Sequence, residues 1–217
     1  SPGAPPAPDA PPSGGPRARG TVPPGSQAGH PARPPVPPHG PGPDSGAEPG
    51  VDTGWTALLF LFATAAEAGL PDRVLDEPDL AARPLSWVLY RVGRLLLPGL
   101  AADDAALLAL AGLGPARAAT VVAAAPATPA EDARVEELAA DWARVTAVRL
   151  YGEHPGTDPR EAVAAMARRE GRIVAEPGWI EATLSAADTD LTVRRAGLDL
   201  DPGWLGWLGA VVRYRYV

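Results

Sequence analysis

Hydrophobic positions divide this chain near residue 50, and beyond that point they follow two different periods. From Trp55 to Ala66 apolar residues run on with no polar face, bounded by Asp52 and Glu67. At roughly a dozen residues the run is shorter than the about 20 a bilayer-spanning helix needs, so it predicts a buried core helix over Gly54–Ala68 and no membrane span. Thr53 is its expected N-cap and Gly69-Leu70-Pro71 its stop. Further helices are predicted over Leu85–Leu97, Asp103–Ala111, Ala116–Ala125, Pro129–Tyr151 and Asp158–Glu170. The longest has the clearest ends: Thr128 as cap, Glu131 and Asp132 in the first turn, and Gly152 after the last.

After Gly171 the period shortens to two. Arg172–Ala175 and Trp179–Ser185 are rich in β-formers and flank Pro177-Gly178, which predicts a hairpin. Ala210–Val217 alternates, with Val212, Tyr214 and Tyr216 on one side and Val211, Arg213, Arg215 and Val217 on the other, and reads as a third strand. The expected fold class is α+β: one domain over 51–217, with a helical body over 51–170 and a small antiparallel β cap over 171–217. Pro177-Gly178-Trp179 is echoed by Pro202-Gly203-Trp204, and two turns each delivering a Trp to the core account for the echo.

Residues 1–50 hold most of the 28 prolines and, as branched apolar residues, only Val22 and Val36. Such a composition predicts a disordered, locally extended linker. Its run Arg33-Pro34-Pro35-Val36-Pro37-Pro38 superficially resembles a ligand for aromatic-grooved adaptor domains, but a linker with chance PxxP spacing is the preferred reading. Ser1 stands where a Met would begin a chain and no charged-then-apolar leader follows, so the expectation is a processed or excised piece of something longer. The net charge is −7, and every basic residue is Arg. Acids and arginines balance in residues 1–50 and again from Arg168 onward, so the excess negative charge lies on the helical middle and should repel phosphate backbones. With no Cys there is no disulfide, thiolate zinc site or thiol nucleophile, which fits a reducing, cytoplasmic setting.

Four stretches carry candidate chemistry. Leu107 to Val122 looks like a helix–hairpin–helix, with Gly112, Gly114 and Arg117 as candidate nucleic-acid contacts, because a glycine turn opening a helix can present N–H donors to a phosphate. Against it stand Asp103 and Asp104 upstream and Arg117 as the one nearby cation. Glu153, His154 and Asp158 are metal-ligand types but crowd into one Pro/Gly turn, while His30 and His39 lie in the linker, so no metal is predicted. Asp188, Asp190, Asp199 and Asp201 lack the closing Glu of a calcium loop and read as caps and partners of Arg194 and Arg195, a hydrolase being the sharper alternative. The segment Arg194–Gly209 is a rigid turn that buries its tryptophans and pins Arg to Asp, or a partner surface using Arg194, Arg195, Trp204 and Trp207. No nucleophile elbow, phosphate loop or dinucleotide fingerprint is present, and neither an enzyme nor a cofactor is predicted.

Gly54-Trp55, Leu58-Leu59-Phe60 and Gly69-Leu70 are followed by Pro84-Leu85-Ser86-Trp87, Gly93-Arg94-Leu95-Leu96 and Asp103-Asp104 with Leu107-Leu108. Val193-Arg194-Arg195-Ala196-Gly197-Leu198-Asp199 then leads to Asp201-Pro202-Gly203-Trp204. This order resembles a group of poorly characterised proteins associated with gene clusters for phage-tail-like contractile injection systems. The similarity spans 51–217 and is most specific in the last segment. It implies a non-enzymatic structural or assembly protein whose partners are other proteins of a multi-component particle, and it supplies no catalytic residues.

Overall fold

A segment that is apolar on every side needs protein on every side, and the chain builds the rest of the fold around it. The computed structural model describes residues 50–153 and 156–217; all but the last residue of the linker expected over 1–50, the Arg33–Pro38 run within it, and His154 lie outside them. The buried segment is Thr56–Thr64, and it is wound as a 3₁₀ helix rather than the α-helix expected over Gly54–Ala68. It contacts the helices α3 (Ala105–Leu110), α5 (Pro129–Tyr151) and α6 (Pro159–Ala167) as well as the sheet. With neighbours all round it has no single stripe to keep in register, so the tighter winding sacrifices no burial. Two carbonyls of the segment also accept from side chains of α5 and the sheet. Trp142 Nε1 donates to Leu61 O at 3.1 Å, and the Tyr214 hydroxyl donates to Leu59 O at 2.5 Å.

The longest helix, α5, has the ends its sequence specifies. Thr128 and Glu131 exchange hydrogen bonds in a capping box, Pro129 opens the first turn and Gly152, at φ +88°, closes the last. α1 (Asp72–Asp76) and α4 (Ala118–Val122) are short helices of five residues each, and helix α2 (Leu85–Leu96) packs against α5. Glu131 is buried there, paired with Arg83 at 2.5 Å, and the Arg83 guanidinium lies 4.4 Å from the centre of the Trp87 ring. The Arg83 hydrogen bond, then the Thr128 backbone N–H, hold the Glu131 carboxyl down from 4.5 to about 2. A depressed carboxyl stabilises the fold above its unfolded pKa, and that contribution is lost as pH falls through the folded value. The Tm gap between the wild-type chain and Glu131→Gln should therefore be widest near neutrality and shrink between about pH 4.5 and 2. A gap that stays constant in melts from pH 7 to 2.5 would show that the pair does not carry this linkage.

The sheet departs from the expected antiparallel cap. It has five strands in the order β1-β2-β3-β5-β4: β1 (Val51–Thr53), β2 (Gly171–Glu176), β3 (Trp179–Leu184), β4 (Gly203–Leu205) and β5 (Ala210–Tyr216). β3 and β5 are parallel, while the other three pairings are antiparallel. Parallel neighbours need a crossover of a dozen or more residues, and 185–209 supply it, including α7 (Leu191–Arg195) and the edge strand β4. Alternation along Ala210–Val217 gives the two faces correctly but carries no information about direction. β1 brings the first described residues into the same sheet, pairing Val51 with Ile173. The helices and the inner face, with Ile173, Ile180, Ala182, Leu184 and Val212, share one core. Among the described residues no helix is long and apolar enough to cross a membrane.

Candidate functional site

Three Gly-Leu pairs, at Gly69, Gly112 and Gly197, share one exit geometry, and one of them lies in the suspected hairpin. After α3 the Gly112 N–H donates to Ala109 O and the Leu113 N–H to Leu108 O, both at 2.9 Å. Gly112 sits at φ +70° and Leu113 is buried, which is a Schellman exit with its apolar staple. The same bonds recur at Gly69-Leu70 and at Gly197-Leu198 after α7. A phosphate cradle needs open donors. Here the donors of Gly112 and Leu113 are consumed, and a Cβ on Gly114 would stand 2.6 Å from the Ala175 carbonyl oxygen. Of the turn expected to offer Gly112, Gly114 and Arg117 to a phosphate, the Gly112 donor thus closes α3 and Gly114 lies against Ala175.

Its packing leaves room beside it. A cavity of about 320 Å³ is lined by Gly112, Gly114 and Arg117 from the turn and by Ala175, Glu176 and Pro177 from the β2–β3 hairpin. A smaller one of about 170 Å³ shares Gly112 and Arg117 and adds Trp207 and Leu208 from the β4–β5 connection. Residues singled out in the sequence for different reasons, Gly112, Arg117 and Trp207, thus meet at one end of the molecule.

The sheet's outer face begins at that end. In register, Val211 of β5 lies between Trp179 of β3 and Trp204 of β4, and Glu176 of β2 lies beyond Trp179. Paired residues share a face, so Trp204, Val211, Trp179 and Glu176 form one row across four strands. Trp204 is 50% exposed and Val211 only 8%. Neither Pro-Gly-Trp turn delivers its Trp to the core, contrary to expectation. Trp179 is half-buried, with the Arg213 guanidinium 5.8 Å from its ring centre.

Beyond the aromatic row the face carries charges already paired with one another. Arg172 pairs with Asp52 at 2.9 Å, Arg215 with Glu181 at 3.3 Å, and Arg213 approaches Asp201 at 3.9 Å. The Arg172 guanidinium holds the Asp52 carboxyl below its ordinary value.

The remaining candidates have structural work. Arg194 donates to Asp199 Oδ2 at 2.6 Å, and the Tyr216 hydroxyl, pushed up to about 12 mainly by burial, donates to the same oxygen at 3.2 Å. This is the Arg–Asp pin the turn reading expects, and the Arg194 side chain stays half exposed in it. Trp207 packs edge-on against Phe62, with ring centres 5.9 Å apart, so it belongs to the core's border. Arg195 is exposed on α7 and does not join the Trp204 row. The late acids are likewise employed: Asp190 caps α7 through the Thr192 N–H at 2.7 Å and pairs with Arg169, and Asp201 accepts the Tyr214 N–H at 2.6 Å. Among the described residues no group of three or more His, Asp or Glu is placed to hold a metal.

Sequence reasoning found Trp204 but not Trp179, Val211 or Glu176, whose alignment depends on the parallel pairing. Comparison with known proteins leaves the reading to this geometry: no family model matches the chain, and neither a curated protein nor a solved structure does.

Proposed function

We propose that this chain is a non-enzymatic interaction protein that works in the assembly of a larger particle, docking other proteins on the outer face of its sheet. The observation that carries the reading is Trp204, 50% exposed at the end of the row Trp204–Val211–Trp179, on a face whose charges are already paired. Trp204 belongs to the segment in which the resemblance to contractile injection cluster proteins is most specific. That resemblance supports sheath, tube or baseplate components as the partners. The pins and caps made by Asp190, Asp199 and Asp201 support a binding rather than a hydrolytic role for the acid-rich segment.

The test is co-expression of the tagged full chain with sheath, tube and baseplate proteins of such a particle. One of them should co-purify with the wild-type chain, and its recovery should fall at least about tenfold with Trp204→Ala, the loss of one interface hot spot. Trp204 is half exposed, so the variant's Tm should stay within about 2 °C of wild type. Retention of every partner by Trp204→Ala would remove the sheet face from the reading, and absence of the gene from any such cluster would remove the particle. Salt-dependent duplex binding lost on Gly114→Glu would restore a nucleic-acid role instead.

A further inference from the structure

Resting on that reading, we infer that the Trp204–Val211–Trp179 row is a docking site for a proline-rich segment in the polyproline II conformation, supplied by a partner protein. Trp179 and Trp204 are each paired to Val211 from opposite sides. They are therefore two strand spacings apart, about 9.6 Å. One turn of a polyproline II helix, three residues long, advances about 9.3 Å. A segment crossing the strands along this row sets prolines i and i+3 against the two indoles, with the intervening residues over Val211.

The chemistry on each side matches. Polyproline II has no internal hydrogen bonds and, at proline, no N–H, so its backbone offers carbonyl acceptors and its rings offer flat apolar faces. The row offers indole surface: the Trp204 side chain is half exposed, while the Arg213 guanidinium stands 5.8 Å from the Trp179 ring centre. Charge selects the same class. Arg172, Arg213 and Arg215 face Asp52, Asp201 and Glu181 within the sheet surface, and the whole chain carries −7. These three arginines are already paired, so a phosphate backbone would have to displace a carboxylate from each, whereas an uncharged segment has no counter-charge to lose. Beyond Trp179 the row ends at Glu176, a lining residue of the 320 Å³ cavity, which places a recess lined by both apolar and charged residues where a residue flanking the prolines would reach.

The probe is a capped synthetic decaproline peptide titrated into the full chain by calorimetry, with a Gly/Ser peptide of equal length as control. Decaproline should bind at least about tenfold more tightly than the control, and Trp204→Ala should weaken it at least about tenfold. Trp204→Phe, which keeps a ring but loses the N–H, should weaken it by a smaller factor. Because residues 1–49 are themselves rich in proline, a full chain with Arg33–Pro38 replaced by Gly and Ser is titrated in parallel. Equal binding of both peptides, no binding in either background, or binding untouched by Trp204→Ala would overturn the ligand class. So would displacement of decaproline by a single-stranded oligothymidine. If a particle protein still co-purifies through Trp204 while decaproline fails, the proline assignment falls and the assembly role stands; decaproline binding with no particle partner gives the reverse.

Discussion

Trp142→Ala should destabilise the fold by about 4 kcal/mol, the largest single-residue effect expected in the chain. Trp142 is fully buried on the inner face of α5 and reaches the 3₁₀ segment at the centre of the core. Two effects add. Removing the ring leaves a cavity that α5, clamped by its capping box and by Gly152, has little freedom to close. Removing the indole N–H also takes a donor from Leu61 O and from Thr64 Oγ1, both at 3.1 Å. Thr64 still contacts the Thr146 hydroxyl at 2.8 Å and donates to Leu61 O, so the second loss is partial and the cavity dominates. For a domain of this size the loss corresponds to a Tm lowered by roughly 8–16 °C. Trp142→Phe keeps most of the volume and should lose less than half as much. Equal losses for the two variants in thermal and urea melts would mean that the hydrogen bonds, not the packing, hold this junction.

The parts of the fold legible in the sequence are those fixed by local chemistry. Thr128, Pro129, Glu131 and Gly152 define α5 to the residue, because capping, a first-turn proline and a left-handed exit act within one turn of the helix they bound. The two faces of β5 are likewise written in its alternation. Direction is not: whether Ala210–Tyr216 runs with or against Trp179–Leu184 depends on the crossover through 185–209, and nothing in a strand's own side chains reports it. The winding of Thr56–Thr64 is hidden for a related reason, since a segment without a polar face carries no period to read. β1 and β4, three residues each, are too short to show alternation and exist through their partners.

The site was legible in fragments for the same cause. Trp204, Gly112 and Arg117 each stand out in the sequence, but only long-range pairing places Trp204 in one row with Trp179 and brings Gly112 beside Trp207. Gly-Leu-Gly looks like an anion-binding turn until the hydrogen bonds of Gly112 and Leu113 are traced back to α3. The distinction lies in whether a donor is already spent, which residue types do not encode.

Gly171→Ala should be the next most damaging change, at about 3 kcal/mol, although the substitution adds one methyl group and requires no unusual backbone angle. Gly171 opens β2 and is paired on one side to Thr53 of β1 and on the other to Leu184 of β3. A Cβ there would stand 2.3 Å from the Thr183 carbonyl oxygen and 2.8 Å from the Thr56 hydroxyl. Both distances are far inside contact, and the nearer atom is backbone, so no rotamer change relieves it. The strand must withdraw from β3 or from the start of the 3₁₀ segment, and either movement breaks ladder hydrogen bonds in the middle of the sheet. Gly99→Ala is the matching control, because nothing lies within 4 Å of the Cβ it would gain. Reducing the unfolded chain's freedom without a clash, it should leave stability unchanged or raise it by about 0.5 kcal/mol. Urea denaturation of the two variants separates the explanations: similar midpoints would show that the sheet accommodates the methyl group, whereas a fall confined to Gly171→Ala places the cost in the close approach of β2 and β3. That approach also sets the outer face, since β3 holds Trp179 in line with Val211 and Trp204. Decaproline affinity should therefore fall with Gly171→Ala even at temperatures where the variant remains folded, and stay at the wild-type value in Gly99→Ala.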